Sequence, residues 1–98
     1  MEVEFANDGL DRLETDRDFT AGLSKEIVRG FRKAMQAIRA ATDERDLYLL
    51  RGLRFKKLEG SRSHQRSMRI NDQWRLILEI VGTAPNKKIR VVCIEDYH

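Results

Sequence analysis

The chain has 98 residues with one tryptophan, one proline and one cysteine. That is enough for one domain, residues 1–98, with a modest core, and too few for two. The lone Cys93 excludes a disulfide framework and fits a reducing cytosol, so a cytoplasmic location is expected. No apolar run approaches the ~18 residues of a membrane span. The acidic opening Met-Glu-Val-Glu-Phe lacks the basic-then-apolar order of a signal peptide, so no membrane partner is expected.

Residues 2–5 alternate polar and apolar and predict a short strand, broken at Asn7, Asp8 and Gly9. A short helix with Leu10 and Leu13 on one face follows. From Ser24 to Ala41, apolar residues Ile27, Phe31, Ala34, Met35 and Ile38 recur at helical spacing, with Ser24 as N-cap. Gly30 inside this helix predicts a close packing contact, since glycine there costs about 1 kcal/mol against alanine. Asp43–Leu50 reads as a further helical turn or two.

After Gly52 the period changes to two. Leu53 and Phe55 alternate with Arg54 and Lys56; residues 60–63 read as a turn; Met68 and Ile70 alternate with Arg69 and Asn71; Asn71-Asp72 is a second turn. Trp74, Leu76 and Leu78 alternate with Arg75, Ile77 and Glu79. A loop over 82–86 leads to a last strand, Ile89–Glu95, whose apolar residues fall on both parities and leave its facing open. The fold class is therefore α+β: an N-terminal strand and helices packed on one face of a small antiparallel sheet.

Charge is unevenly spread. Residues 1–49 hold 8 Lys/Arg against 11 Asp/Glu, and residues 50–98 hold 11 against 5, for a net +3 overall. Within 51–75, Arg51, Arg54, Lys56, Lys57, Arg62, Arg66, Arg69 and Arg75 face only Glu59 and Asp72. A charge run is ordinarily a solvated face. Here, if Leu53, Phe55, Met68, Ile70, Trp74, Leu76 and Leu78 turn toward the helices, strand alternation puts Arg54, Lys56, Arg69 and Arg75 together on the open face. That arrangement suits a polyanion.

No metal is expected: His64, His98 and Cys93 have no ligand spacing. No phosphate loop or nucleophile elbow is present, so no cofactor is expected. Phe55 and Trp74 fall on the core parity, against a base-stacking sheet. What remains suits metal-free RNA cleavage, which needs a base for a 2′-hydroxyl, cations for the phosphorane and an acid for the leaving 5′-oxygen. Arg69 and Arg75 can fork onto phosphate, Lys56 adds a point charge, His98 titrates near neutrality, and Tyr97 can stack or donate its hydroxyl. The ordinary alternative is a core tyrosine and a frayed histidine.

Three stretches resemble the HigB-type toxins of the RelE/ParE superfamily: Gly52-Leu-Arg-Phe-Lys-Lys-Leu-Glu-Gly60, Ser67-Met-Arg-Ile-Asn-Asp-Gln-Trp-Arg75 and Glu95-Asp-Tyr-His98. The resemblance covers the C-terminal half well, and the N-terminal half only as strand plus helices. It implies a RelE-like toxin of a type II toxin–antitoxin system, a ribosome-dependent mRNA endoribonuclease acting without metal. The implied partners are the 70S ribosome with its mRNA and a cognate HigA-like helix-turn-helix antitoxin, with operator DNA met only through that antitoxin. It implies catalytic roles for His98, Tyr97, Arg75 and Asp96, of which Asp96 orients rather than transfers protons; Lys56 joins the catalytic set from the reading of the residues. It also implies support of the site by Arg69 and Asn71, and with them the basic residues Arg54, Lys57 and Arg62 are expected to contact RNA. Lys56 stands where the family usually has histidine, Glu59 where it has lysine, and Arg66 where an aromatic is common. Lys25, Arg29, Arg32, Lys33 and Arg39 on the long helix are expected to be either ribosomal RNA contacts or a solvated face. Alternatives are a ParE-like DNA gyrase inhibitor and a catalytically weak binding domain of the same fold.

Overall fold

The computed structural model describes residues 1–96. In chain order it contains β1 (Glu2–Phe5), α1 (Asp8–Thr15), α2 (Lys25–Ala40), α3 (Glu44–Tyr48), β2 (Lys56–Lys57), β3 (Gln65–Arg69), β4 (Trp74–Val81) and β5 (Lys88–Asp96). The strands form one sheet in the order β1-β5-β4-β3-β2. The expected α+β layout holds, with one difference in pairing. Strand β1 joins β5 in parallel, so the sheet is mixed. Three helices lie between these two strands in sequence, and such a crossover is what a parallel neighbour requires.

Helix starts follow local chemistry. Asn7 Oδ1 accepts from Leu10 N at 3.0 Å, and Ser24 Oγ accepts from Ile27 N at 3.3 Å. Asp43 and Asp46 close a reciprocal capping box at α3. The apolar stripe of α2 buries Ile27, Phe31, Ala34, Met35 and Ile38 against Met68, Leu76, Leu78, Ile89 and Val91 of the sheet. Gly30 makes the expected close contact. A Cβ there would stand 2.6 Å from both Ile70 Cγ2 and Ile70 O, so the helix can approach β3 only without a side chain.

Two local features differ from strict alternation. Arg51–Leu53 is a single 3-10 turn, and Arg54 follows in the left-handed region (φ 48°). Leu53 and Phe55 both reach the core, but across a bend rather than along a strand. Alternating apolar residues at 53 and 55 imitate a strand, and β2 is only two residues long.

The second feature is a register slip in β5. Ile77 pairs with Cys93 while Leu78 pairs with Val91, which leaves Val92 as an extra residue. Ahead of it Ile89 and Val91 face the helices; beyond it Ile94 does. The slip explains why apolar residues fall on both parities. It also turns Cys93 and Glu95 onto the open face and Asp96 toward the helix side, opposite Trp74.

Candidate functional site

The open face is fixed by register. Lys56 pairs with Ser67, and Arg69, two residues on, pairs with Arg75, which pairs in turn with Glu95. Lys56, Arg69 and Arg75 therefore share one face of three neighbouring strands. Two cations directly opposite each other on adjacent strands repel, so the Arg69–Arg75 pairing is unfavourable by itself.

Arg75 is the one charged residue classed as buried among those described, at 8% exposure. Its Nη1 donates to the Asn71 carbonyl at 2.5 Å and to the Trp74 carbonyl at 3.2 Å. The Asn71 side chain shapes the same turn, for Oδ1 accepts from Gln73 N at 2.9 Å and Trp74 N at 2.8 Å. Asn71 thus sets the turn with its side chain and holds Arg75 with its backbone, the local side-chain-to-backbone bonding that favours asparagine here. Arg75 is orientated before any ligand arrives.

Arg69 donates to Asp72 at 2.7 Å. That hydrogen bond, then the charges of Arg69, Arg54 and Arg75, hold the Asp72 carboxyl below its ordinary range. Arg54 thus belongs to the cluster electrostatically although it lies on no strand, which corrects its expected place on the sheet parity. Lys57 pairs with Arg66 on the opposite parity and does not share the Arg75 face. Arg62 sits in a 3-10 turn and forks onto Glu95 at 2.9 and 3.0 Å, with Nε donating to Gln65 at 2.9 Å. It bridges from the β3 side of the sheet to β5, and the pairing with Glu95 raises the Arg62 pKa further.

Asp96 ends β5 on the helix-side parity and receives a 3.4 Å bond from Gln73 Nε2. The neighbouring Glu95, not Asp96, stands beside Arg75. Tyr97 and His98 lie outside the described residues. Sequence reasoning missed Glu95 as a member of the face, because its side depends on the β5 slip. It also missed Ser67, whose buried hydroxyl has no partner among the described residues. Cys93 shares the face, but burial foremost pushes its thiol up, with Glu95 adding and Arg62 opposing. A thiol so placed is a poor nucleophile.

Two arginines of α2 have internal work. Arg32 donates to the carbonyls of Leu13, Asp16, Arg17 and Phe19 and so ties the α1–α2 connection to the helix. Arg39 forks onto Glu14 at 2.7 and 3.1 Å. Lys25, Arg29 and Lys33 remain on the outer face. No group of three or more His, Cys, Asp or Glu among the described residues could hold a metal ion. No helix among them is long and apolar enough to cross a membrane.

A five-stranded mixed sheet covered on one side by three helices is the fold of the RelE-like toxins. The YoeB/ParE toxin from Agrobacterium tumefaciens superposes with a TM-score of 0.61 at 17% identity, covering all of both chains. YafQ from E. coli strain BL21(DE3) gives 0.62 at 15% identity, over 97% of this chain and 91% of that one. The model of the HigB-like toxin family, the RelE-like toxin of type II toxin–antitoxin systems, matches residues 3–98. Toxin HigB-1 of Vibrio cholerae serotype O1 (strain ATCC 39315 / El Tor Inaba N16961) is 32% identical over 87 residues, 88% of this chain and 92% of that one. The chain belongs to the HigB-like toxin family.

Proposed function

We propose that the chain is the toxin of a type II toxin–antitoxin system and cleaves mRNA on the translating ribosome. The observation that carries this reading is Arg69 opposite Arg75 on an open sheet face, with Lys56 on the same side. A like-charged pair built into the end of a sheet is repaid when a phosphate lies between its members. In the proposed reaction the 2′-hydroxyl attacks the adjacent phosphorus and gives its proton to a base. The bond from phosphorus to the 5′-oxygen breaks, and that oxygen takes a proton from an acid. The products are a 2′,3′-cyclic phosphate and a 5′-hydroxyl, with no metal in the cycle. Arg75 stabilises the phosphorane charge, and Arg69 with Lys56 positions the strand. His98 is the leading general acid or base, and Tyr97 and Lys56 are secondary. Asn71, Arg62 and Glu95 hold the frame, with Asp96 at the strand end.

A domain this small reads few bases by itself, so a large RNA scaffold has to orientate the substrate. Lys25, Arg29 and Lys33 suit contact with that scaffold. The partners are thus the 70S ribosome with mRNA, in the cytoplasm, and a HigA-like antitoxin that alone meets operator DNA.

The test is primer extension on one message, bare and under translation by purified ribosomes. The expected result is cuts only in the translated message, with 5′-hydroxyl ends, lost in His98→Ala. Intact message together with DNA breaks in treated cells would instead indicate a gyrase poison.

A further inference from the structure

A cleft lined by residues of α2 meets the arginine cluster at Arg69. It has a volume of about 640 Å³ and runs between α2 and the stretch that leads from α3 to the 3-10 turn. Clefts of ~300–1,000 Å³ are the usual size for a bound ligand or anchor group. Gly30 and Ala37 form one wall, Leu49, Leu50 and Leu53 the other, and Ile70 lies at the base. Beside it stand the exposed large apolar side chains: Tyr48 at 47%, Leu49 at 77% and Leu50 at 44%. Three consecutive exposed apolar residues next to an apolar cleft are costly in water and characteristic of a recognition surface.

The charges around the cleft say what fits it. Lys33, Arg51 and Arg69 line it, and no acidic residue does. Arg69 is paired with Asp72, whereas neither Lys33 nor Arg51 has an ion-pair partner among the described residues. The apolar floor disfavours nucleic acid, which needs aromatic platforms or base-edge donors there. A second copy of this chain docked symmetrically would set the same three cations against one another. No stretch of residues 1–96 with apolar side chains to spare and acidic flanks is available, because Leu10 and Leu13 of the acidic helix α1 are already buried.

We propose that this cleft docks a short amphipathic segment of a partner protein, with leucine-like side chains between Gly30 and Leu49–Leu53 and with carboxylates on Lys33 and Arg51. This is groove recognition of an apolar stripe, with charge setting its direction. The inference needs no RNA chemistry, although the cleft shares Lys33 and Arg69 with the surfaces proposed to meet RNA.

The experiment uses the full chain, 15N-labelled, without ribosomes. The probe is an acetylated peptide of about four helical turns, leucines one turn apart and glutamates between them. The expected result is saturable shifts of the Gly30, Ala37, Leu49, Leu50 and Gly52 amides. Leu49→Asp, at a position already open to water, should weaken binding about tenfold with an unchanged melting curve. Replacing the peptide's glutamates by lysines should abolish binding. Absence of shifts at those amides at millimolar peptide overturns the proposal. So does equal binding of the lysine peptide, or a single-stranded RNA oligonucleotide that shifts the same amides more strongly. Loss of ribosomal cleavage in a separate assay leaves this result untouched, and the reverse holds too.

Discussion

The two ends of the open sheet face treat charge differently. At the end nearest β1, Glu4 takes Lys88 at 2.8 Å and Arg90 at 2.6 Å, and Arg90 reaches Glu79 at 3.4 Å. Gln65 completes the row by donating to Glu79. Signs alternate across strands β1, β5 and β4, and opposite-charge cross-strand pairs stabilise a sheet. At the other end Arg69 faces Arg75 directly and donates to Asp72 at 2.7 Å, with Arg54 near, while Arg62 forks onto Glu95. A satisfied row explains itself as structure. A row of like charges on adjacent strands suits an anion from outside, and that is the physical basis for the proposal that RNA binds there.

The largest expected effect belongs to Arg75. Arg75→Gln should lower ribosomal cleavage by roughly 100- to 1,000-fold, the scale for loss of one preorganised charge donor. Circular dichroism should show the fold retained. Asn71→Ala comes next, since it removes two side-chain hydrogen bonds from the turn that holds Arg75. Cleavage should drop about tenfold as Arg75 loosens, and thermal melting should report a loss of ~1 kcal/mol. Arg69→Gln should weaken RNA binding by a smaller factor without lowering the melting temperature, because it also relieves the repulsion with Arg75. A clear loss of stability would identify Arg69 as a structural cation instead.

The smallest effect is a pH dependence at both ends. Glu4 is held below its ordinary value by Lys88 and then Arg90, and Asp72 by Arg69. Each carboxylate therefore contributes stability that is complete above its unfolded pKa and is lost as pH falls through the lowered folded value. Melting temperature should be flat near neutrality and fall on acidification, less steeply in Arg90→Gln and Asp72→Asn. A melting curve that improves in acid would contradict both pairings.

How much of this could be read in advance depends on the range of the interaction involved. Helix α2, its Ser24 cap and the Gly30 contact were legible because a stripe at helical spacing and a glycine inside it are local signals. Gly30→Ala should cost about 1–3 kcal/mol through the overlap with Ile70, measurable by thermal melting. Lys56, Arg69 and Arg75 were legible because period-two alternation fixes a face within each strand. Arg54 was not, because residues 51–55 bend to pass from α3 into the sheet, and Lys57 falls on the parity opposite Lys56. The sides of Glu95 and Asp96 stayed open for a like reason, a one-residue slip opposite Ile77 and Leu78 that no local pattern marks. The internal roles of Arg32 and Arg39 depend on the α1–α2 connection folding back, and composition alone gives them the same weight as Lys25 or Arg29.

The central claim is the proposal that the arginine-rich end of the sheet handles RNA and the end with alternating signs does not. The most direct test measures cleavage of a translated message by Arg75→Gln and Arg90→Gln side by side, at equal folded concentration. The predicted result is a loss of at least about 100-fold in the first and native cleavage in the second. Equal activity in both variants, or equal loss in both, would contradict it.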